Sequence, residues 1–226
     1  MKLTYYGHGC IGVRIEGVDL LFDPYISENP LAKHIEISTV PADYILISHG
    51  HYDHIADAVP IAKRTGATVI ANYEITQWLA KQGLQRLHSM NAGGVAKFRF
   101  GRLRLVQAAH SSSMPDGTYG GTAVSFVIES PEGNFFFSGD TGLTAEMDIV
   151  GRFIPLKFAV LCIGGTYTMD VDTAVHAATL LHTDLVVGIH YDTIPPLAID
   201  KQQAIQKFDS VLKQLILLEP GESIDL

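Results

Sequence analysis

The sequence predicts an α/β fold of four layers, with two mixed β-sheets packed face to face and helices outside. Two features point to it. Each half of the chain opens with short strand-like runs, then turns to helix–strand units, the order expected of sheets covered by helices. Across residues 1–226 there is no Pro/Gly/Ser-rich linker and no repeat of roughly 20–50 residues, so the two halves read as one domain.

Residues 3–6, 12–15 and 20–22 read as three successive antiparallel strands, with breaks at Gly7 and Gly9 and a turn at Glu16-Gly17. Asp23-Pro24 stops the third, and residues 27–41 are loop-like. Residues 44–47 form a short buried strand. The helix after it carries Ile55, Val59 and Ala62 on one face and ends at Gly66. A strand at 67–70 precedes a helix over about 73–82, with Asn72 as N-cap and Gly83 just beyond its end. From 88 to 101 the pattern is short strands and turns, broken at residues 91–94. Residues 102–106 alternate as a strand leading to His110, and 111–121 is a polar loop. Residues 122–128 and 134–137 pair as a hairpin around Pro131-Glu132-Gly133, and the second strand runs to Gly139-Asp140. A buried strand at 158–161 leads to Gly164-Gly165, a helix follows Asp172, and a strand at 185–189 ends at His190. The last helix starts near Asp200, with Ala204, Phe208, Val211 and Leu215 on one apolar face.

The chemistry concentrates between the strand at 44–47 and its helix. There Ser48-His49-Gly50-His51-Tyr52-Asp53-His54 carries four candidate ligands in the spacing His-x-His-x-Asp-His. A tight strand-to-helix turn fixes such groups, and imidazole with carboxylate suits Zn, Mn, Fe or Co. His110, Asp140 and His190 each follow a predicted strand, where a rigid sheet can aim a side chain from a polar loop. Taken singly, either histidine reads as a surface or core residue, and Asp140 as a turn residue. Together the seven, five His and two Asp, exceed what one ion takes and suit two ions sharing a carboxylate.

With those residues in place, the chain resembles the metallo-β-lactamase superfamily, whose signature is His-x-His-x-Asp-His followed by a distant His, an Asp and a final His. More narrowly it is similar to the small UPF0173 branch of metal-dependent hydrolases. Gly7-His8-Gly9-Cys10, Leu21-Phe22-Asp23-Pro24, Gly139-Asp140-Thr141-Gly142, Ile163-Gly164-Gly165 and His190-Tyr191 carry that likeness across nearly the whole chain. The resemblance implies a metallo-β-lactamase-like αββα sandwich and two divalent ions, Zn first, with Mn or Fe as alternatives. It places His49, His51 and His110 on one ion, Asp53, His54 and His190 on the other, and Asp140 between them. Thr166-Tyr167, Asp170 and Asp192 depart from the branch pattern near the expected mouth, which bears on substrate preference rather than on the ligands.

Two cations about 3.5–4 Å apart acidify a shared water, so the expected reaction is attack of hydroxide on a small ester, lactone, amide or phosphoester. Asp53 belongs to that catalytic centre. His8, in a Gly-flanked loop after the first strand, is the candidate proton donor for the leaving group, with a structural role as the alternative. Asp23 is a candidate to orient a ligand imidazole, or else a plain turn residue. Competing readings are a metal-binding protein without turnover, an RNA-processing nuclease and a di-iron oxidoreductase. The last is disfavoured by His51, which stands where a carboxylate serves iron redox chemistry.

Other residues carry less. Ser111, Ser112 and Ser113 lack a Gly-x-Ser-x-Gly elbow and are expected to turn the loop or hold a ligand. Gly164-Gly165 lacks dinucleotide spacing. Cys10 and Cys162 have no metal or disulfide spacing, and His34, His88, His176 and His182 have no partner pattern. A net charge of -8 without a Lys/Arg run argues against gripping nucleic acid, so a small-molecule substrate is expected. No apolar run approaches the ~18 residues of a membrane span, and no signal core opens the chain. A cytoplasmic protein, with homo-oligomerisation open, is the expectation.

Overall fold

The computed structural model describes residues 1–226 throughout. The N-terminal half supplies β1 (Lys2–Gly7), β2 (Cys10–Ile15), β3 (Val18–Phe22), β4 (Tyr44–Leu46), β5 (Thr68–Ala71) and β6 (Leu87–Ser89), with α1 (Tyr52–Ile55), α2 (Ala58–Thr65) and α3 (Tyr73–Lys81) between the later strands. The C-terminal half supplies β7 (Val95–Phe98), β8 (Gly101–Gln107), β9 (Val124–Glu129), β10 (Phe135–Phe137), α4 (Ala145–Phe153), β11 (Phe158–Cys162), α5 (Val171–Leu180), β12 (Leu185–Ile189), α6 (Lys201–Asp209) and β13 (Gln214–Ile216). The final strand, β14 (Ser223–Asp225), returns to pair antiparallel with β1.

Each sheet is mixed, as expected. The first runs β14-β1-β2-β3-β4-β5-β6, antiparallel through β3 and parallel from there on. The second runs β13-β12-β11-β10-β9-β8-β7, antiparallel from β7 to β10 and parallel beyond. Between them lies an apolar core in which Phe22 packs on Phe137 at 4.7 Å and also touches Phe126 and Phe135. Burial of such rings supplies most of what holds the sheets together; losing one costs roughly 3–5 kcal/mol. A second cluster, with Ile45, Ile61, Ile75 and Leu79, packs the first sheet onto its helices.

Three expectations need correction. The helix after the ligand turn is two helices, because Asp57 leaves the helical path and accepts hydrogen bonds from the Ile26 and Ser27 backbone amides at 2.6 and 2.9 Å. The helix placed after Asp172 begins at Val171, with Asp170 as its N-cap, accepting from the Thr173 amide at 2.8 Å. The last helix stops at Asp209, so Val211 is exposed beyond it and Leu215 belongs to β13.

Candidate metal centre

All the strands that deliver site residues do so at their carboxyl ends, along one edge of the sandwich. β1 delivers His8, β3 Asp23, β4 the turn at 48–54, β8 His110, β10 Asp140 and β12 His190. The ends of strands are where a sheet can aim polar groups without breaking its own ladder. Three of these residues take left-handed backbone: His8 at φ 54°, Asp23 at 43° and His190 at 59°. Such backbone costs of order 1–3 kcal/mol each in a non-glycine residue, and it is held here by the surrounding packing. Glycine makes the approach possible. A Cβ on Gly9 would lie 2.7 Å from His54 Cε1, and one on Gly139 would lie 2.6 Å from Ser48 Cβ.

The seven residues expected as ligands converge. His49 Nε2 lies 3.0 Å and His110 Nε2 3.3 Å from His51 Nδ1. Nitrogens about 2.0–2.1 Å from a tetrahedral ion stand about 3.3 Å apart, so this trio has the spacing of one ion's ligands. Asp53, His54 and His190, together with His8, form a second group whose ligand atoms lie within 4.8 Å of one another. Asp140 sits between the groups. Its Oδ1 is 3.4 Å from His54 Nε2, and its Oδ2 is 3.1 Å from His190 Nε2 and 3.7 Å from His110 Nε2.

The hydrogen bonds around these rings fit them for cations. Ser48 donates its amide and hydroxyl to Asp23, at 2.7 and 2.5 Å, and His54 donates Nδ1–H to the same carboxylate at 2.9 Å. With its proton given to Asp23, the Ser48 hydroxyl accepts from His49 Nδ1 at 3.0 Å. Both rings therefore hold a proton on Nδ1 and turn Nε2 inward, the arrangement that outer partners impose on metal-binding imidazoles. His54 Nε2, Asp140 Oδ1 and both nitrogens of His190 are buried without a hydrogen-bond partner. His51 Nδ1 faces two other ring nitrogens, and one proton cannot serve both contacts. Buried orphans of this kind cost free energy unless something cationic joins them. The donor set fits metal ions.

Charge tells the same story. Burial works against ionisation of Asp140, yet His54 and His190 hold its carboxyl well below the usual carboxylate range. Burial works against a charged His54 as well, but Asp140 and Asp23 push it well above the usual imidazole value. Burial and the charge on His54 drive His49 down. A proton on His54 thus neutralises Asp140 in the place where a cation would do so.

His8 differs from the other rings. It is buried, 2% exposed, with Nε2 2.9 Å from Asp53 Oδ2 and Nδ1 2.9 Å from Thr193 Oγ1. Burial and the neighbouring His190 push its pKa down to about 4, so at neutral pH the ring carries one proton. Because the Asp53 carboxylate can only accept, that proton lies on Nε2 and is given to Asp53. This leaves Nδ1 as an acceptor for the Thr193 hydroxyl, shared with Tyr191 O at 3.3 Å. Asp23 proves to be an orienting residue for His54. Ser112 holds the ligand turn, accepting from the Gly50 amide at 3.1 Å while donating to Gly120 O at 2.8 Å. Neither Ser48 nor Thr193 has a role legible in the sequence, apart from the place of Ser48 next to His49. Cys10 and Cys162 are buried and unpaired. His34, His88, His176 and His182 belong to none of the donor groups.

A cavity of about 380 Å³ opens over this cluster, with His51, Asp53, His110, Asp140 and His190 as its floor. A larger one of about 550 Å³ lies between α4 and β8, away from every candidate ligand.

Residues 19–191 match the beta-lactamase superfamily domain. The chain belongs to that superfamily. Within it, a UPF0173 metal-dependent hydrolase of Methylacidiphilum infernorum is 51% identical over 226 residues, covering both chains fully. A UPF0173 metal-dependent hydrolase of Flavobacterium johnsoniae is 44% identical, again over the whole of both chains. Among solved structures, the metallo hydrolase Igni18 of Ignicoccus hospitalis superposes with a TM-score of 0.89 at 38% identity, over 99% of this chain and 97% of that one. The beta-lactamase superfamily member described here is therefore one of the UPF0173 metal-dependent hydrolases, with the fold the sequence predicted. No helix in it is long and apolar enough to cross a membrane.

Proposed function

We propose that the chain binds two divalent metal ions, Zn first and Mn or Fe as alternatives, and hydrolyses a small ester, lactone, amide or phosphoester. One observation carries this reading: two facing donor groups with Asp140 between them, its two oxygens 3.4 Å from His54 and 3.7 Å from His110. Bound there, the ions would supply acidified water and a sink for negative charge on a carbonyl or phosphoryl oxygen. His49, His51 and His110 would hold one ion, and Asp53, His54 and His190 the other. Asp23 and Ser48 fix the rings of His54 and His49, so the donors need little reorganisation. His8 sits at the rim of the second group with Nε2 on Asp53. Donating a proton to a leaving group there requires its imidazolium form, which the Asp53 carboxylate favours against burial. Buried unpaired cysteines suit residence in the reducing cytoplasm.

The test is elemental analysis of protein purified without added metal, followed by turnover on an ester and phosphodiester panel with and without chelator. Chelator-sensitive hydrolysis with about two ions per chain is expected. Full metal content with no turnover on any class would leave a metal-binding protein and refute the hydrolase reading.

A further inference from the structure

The cavity above the donor cluster has a wall as well as a floor, and the wall is apolar. Besides the candidate ligands it is lined by Ser111, Tyr167, Ile194 and Leu197. Tyr167 and Ile194 are exposed, at 57% and 43%, although both face a polar site. Large apolar side chains left open beside convergent polar groups mark the ligand-contacting part of a pocket.

That wall is held in place from several directions. Gly165 and Thr166 take left-handed backbone, φ 70° and 56°, and so turn the chain at Tyr167. Thr166 Oγ1 donates to Pro196 O at 3.0 Å, joining the Tyr167 loop to the loop that carries Ile194. Beyond Ile194, Pro195–Leu197 forms a single tight helical turn. Asp192, at φ 59°, closes that loop by accepting from the Ile199 amide at 3.0 Å and donating its own amide to Leu197 O at 2.9 Å. Two loops from the ends of β11 and β12 therefore form one braced surface.

No lysine or arginine lines the cavity. The basic residue on the neighbouring segment, Lys201, is engaged by Glu219 at 2.9 Å and Asp192 at 3.7 Å. An anionic group on the arm of a substrate would lose water against Tyr167 and Ile194, and no side-chain cation of that wall would replace it. An alkyl arm would instead gain by burial.

We infer that the substrate carries a short uncharged alkyl arm, as in an acyl ester or lactone, and that this arm lies against Tyr167 and Ile194. This rests on the hydrolase reading and narrows it, setting aside substrates whose arm ends in an anionic group. Water adds across the acyl bond: its oxygen joins the carbonyl carbon, the ester C–O bond breaks, and the leaving oxygen takes a proton.

The experiment uses metal-loaded full-length protein and two matched pairs of probes. In each pair a terminal methyl is replaced by a carboxylate: p-nitrophenyl butyrate against p-nitrophenyl hemisuccinate for turnover, and butyrohydroxamate against succinate monohydroxamate for binding by calorimetry. The neutral member of each pair should be favoured by about tenfold or more, in kcat/KM and in Kd. Ile194→Arg, at an exposed position, should erase or reverse both preferences with metal content unchanged. Tyr167→Arg, in the opposite loop, should act the same way. Equal or better use of the carboxylate probes by the native chain, or preferences untouched in both variants, would overturn the inference while turnover upholds the hydrolase. Neutral preference in binding without hydrolysis of any ester would do the reverse, leaving the wall and removing the activity.

Discussion

Replacing Asp23 by Asn probes the link between the buried hydrogen bonds and the donor set. Asp23 is fully buried and accepts three hydrogen bonds, from the Ser48 amide, the Ser48 hydroxyl and His54 Nδ1. Asparagine also tolerates the left-handed φ of 43°, so the backbone cost of the change is small. Its carbonyl can still take the Ser48 amide, but its NH2 then meets a hydroxyl and a ring N–H that were donors. Leaving two buried donors unmatched costs about 1–3 kcal/mol each, less whatever the rotatable hydroxyl recovers. The stripped variant should therefore unfold about 2–4 kcal/mol more easily than the stripped native chain. His54 can escape only by giving up its Nδ1 proton and keeping one on Nε2, which blocks the nitrogen that faces Asp140. Loss of an orienting partner weakens metal affinity roughly 10–100-fold, so saturating metal should stabilise the variant by about 1.4–2.7 kcal/mol less. Urea denaturation of stripped and loaded protein measures both effects, with metal affinity taken from competition against a chromogenic chelator. Unchanged affinity for both ions in Asp23→Asn would refute the claim that Asp23 sets the His54 tautomer.

Other changes separate the remaining roles. His8→Ala should keep both ions and slow hydrolysis roughly 10²–10⁴-fold; loss of metal without a matching loss of rate per ion would place His8 among the ligands. Gly9→Ala, whose Cβ would lie 2.7 Å from His54 Cε1, should weaken metal binding at that ring and cost about 1–3 kcal/mol of stability. A chelator titration superimposable on that of the native chain would show that His54 yields freely. Asp170 caps α5 with its carboxylate, and the hydrogen bonds from Thr173 hold its pKa below the usual value. Because the folded pKa is depressed, this stability is present above the unfolded value near 3.9 and is lost as pH falls through the folded value. Asp170→Ala should thus cost about 1 kcal/mol at pH 7, a gap that narrows in denaturation curves taken below about pH 4.

Much of the site is legible in the sequence because its ligands cluster in one turn or follow strand ends that alternation and apolar runs reveal. The seven residues read as ligands all meet at one edge. What escapes sequence reading is what only folding brings together. Thr193 reaches His8 across the closing of the two sheets, and nothing local in Thr193 announces a ring beside it. α4 escapes because only Met147 and Val150 of its nine residues are buried, while Ile149 and Phe153 face outward and blur the stripe. Its Gly151 looks like a helix breaker; a Cβ there would collide with the Leu180 carbonyl of α5, so glycine serves the packing of the two helices. β13 and β14 are three residues each, too short for periodicity to register. Asp170 and Asp192, departures from the branch pattern, turn out to be a helix cap and a loop closure. Thr166-Tyr167, the other departure, builds the wall of the cavity.

The central claim is that two ions share one carboxylate, and metal counting on single variants tests it most directly. Elemental analysis of matched preparations should give about two ions per native chain and about one in His110→Ala and in His190→Ala, each retaining the ion held by the other group. Asp140→Ala, though still folded by far-ultraviolet circular dichroism, should fall below one because its carboxylate faces both groups. A native chain that never exceeds one ion after reconstitution with Zn or Mn, or an Asp140→Ala chain that keeps two, would contradict the account.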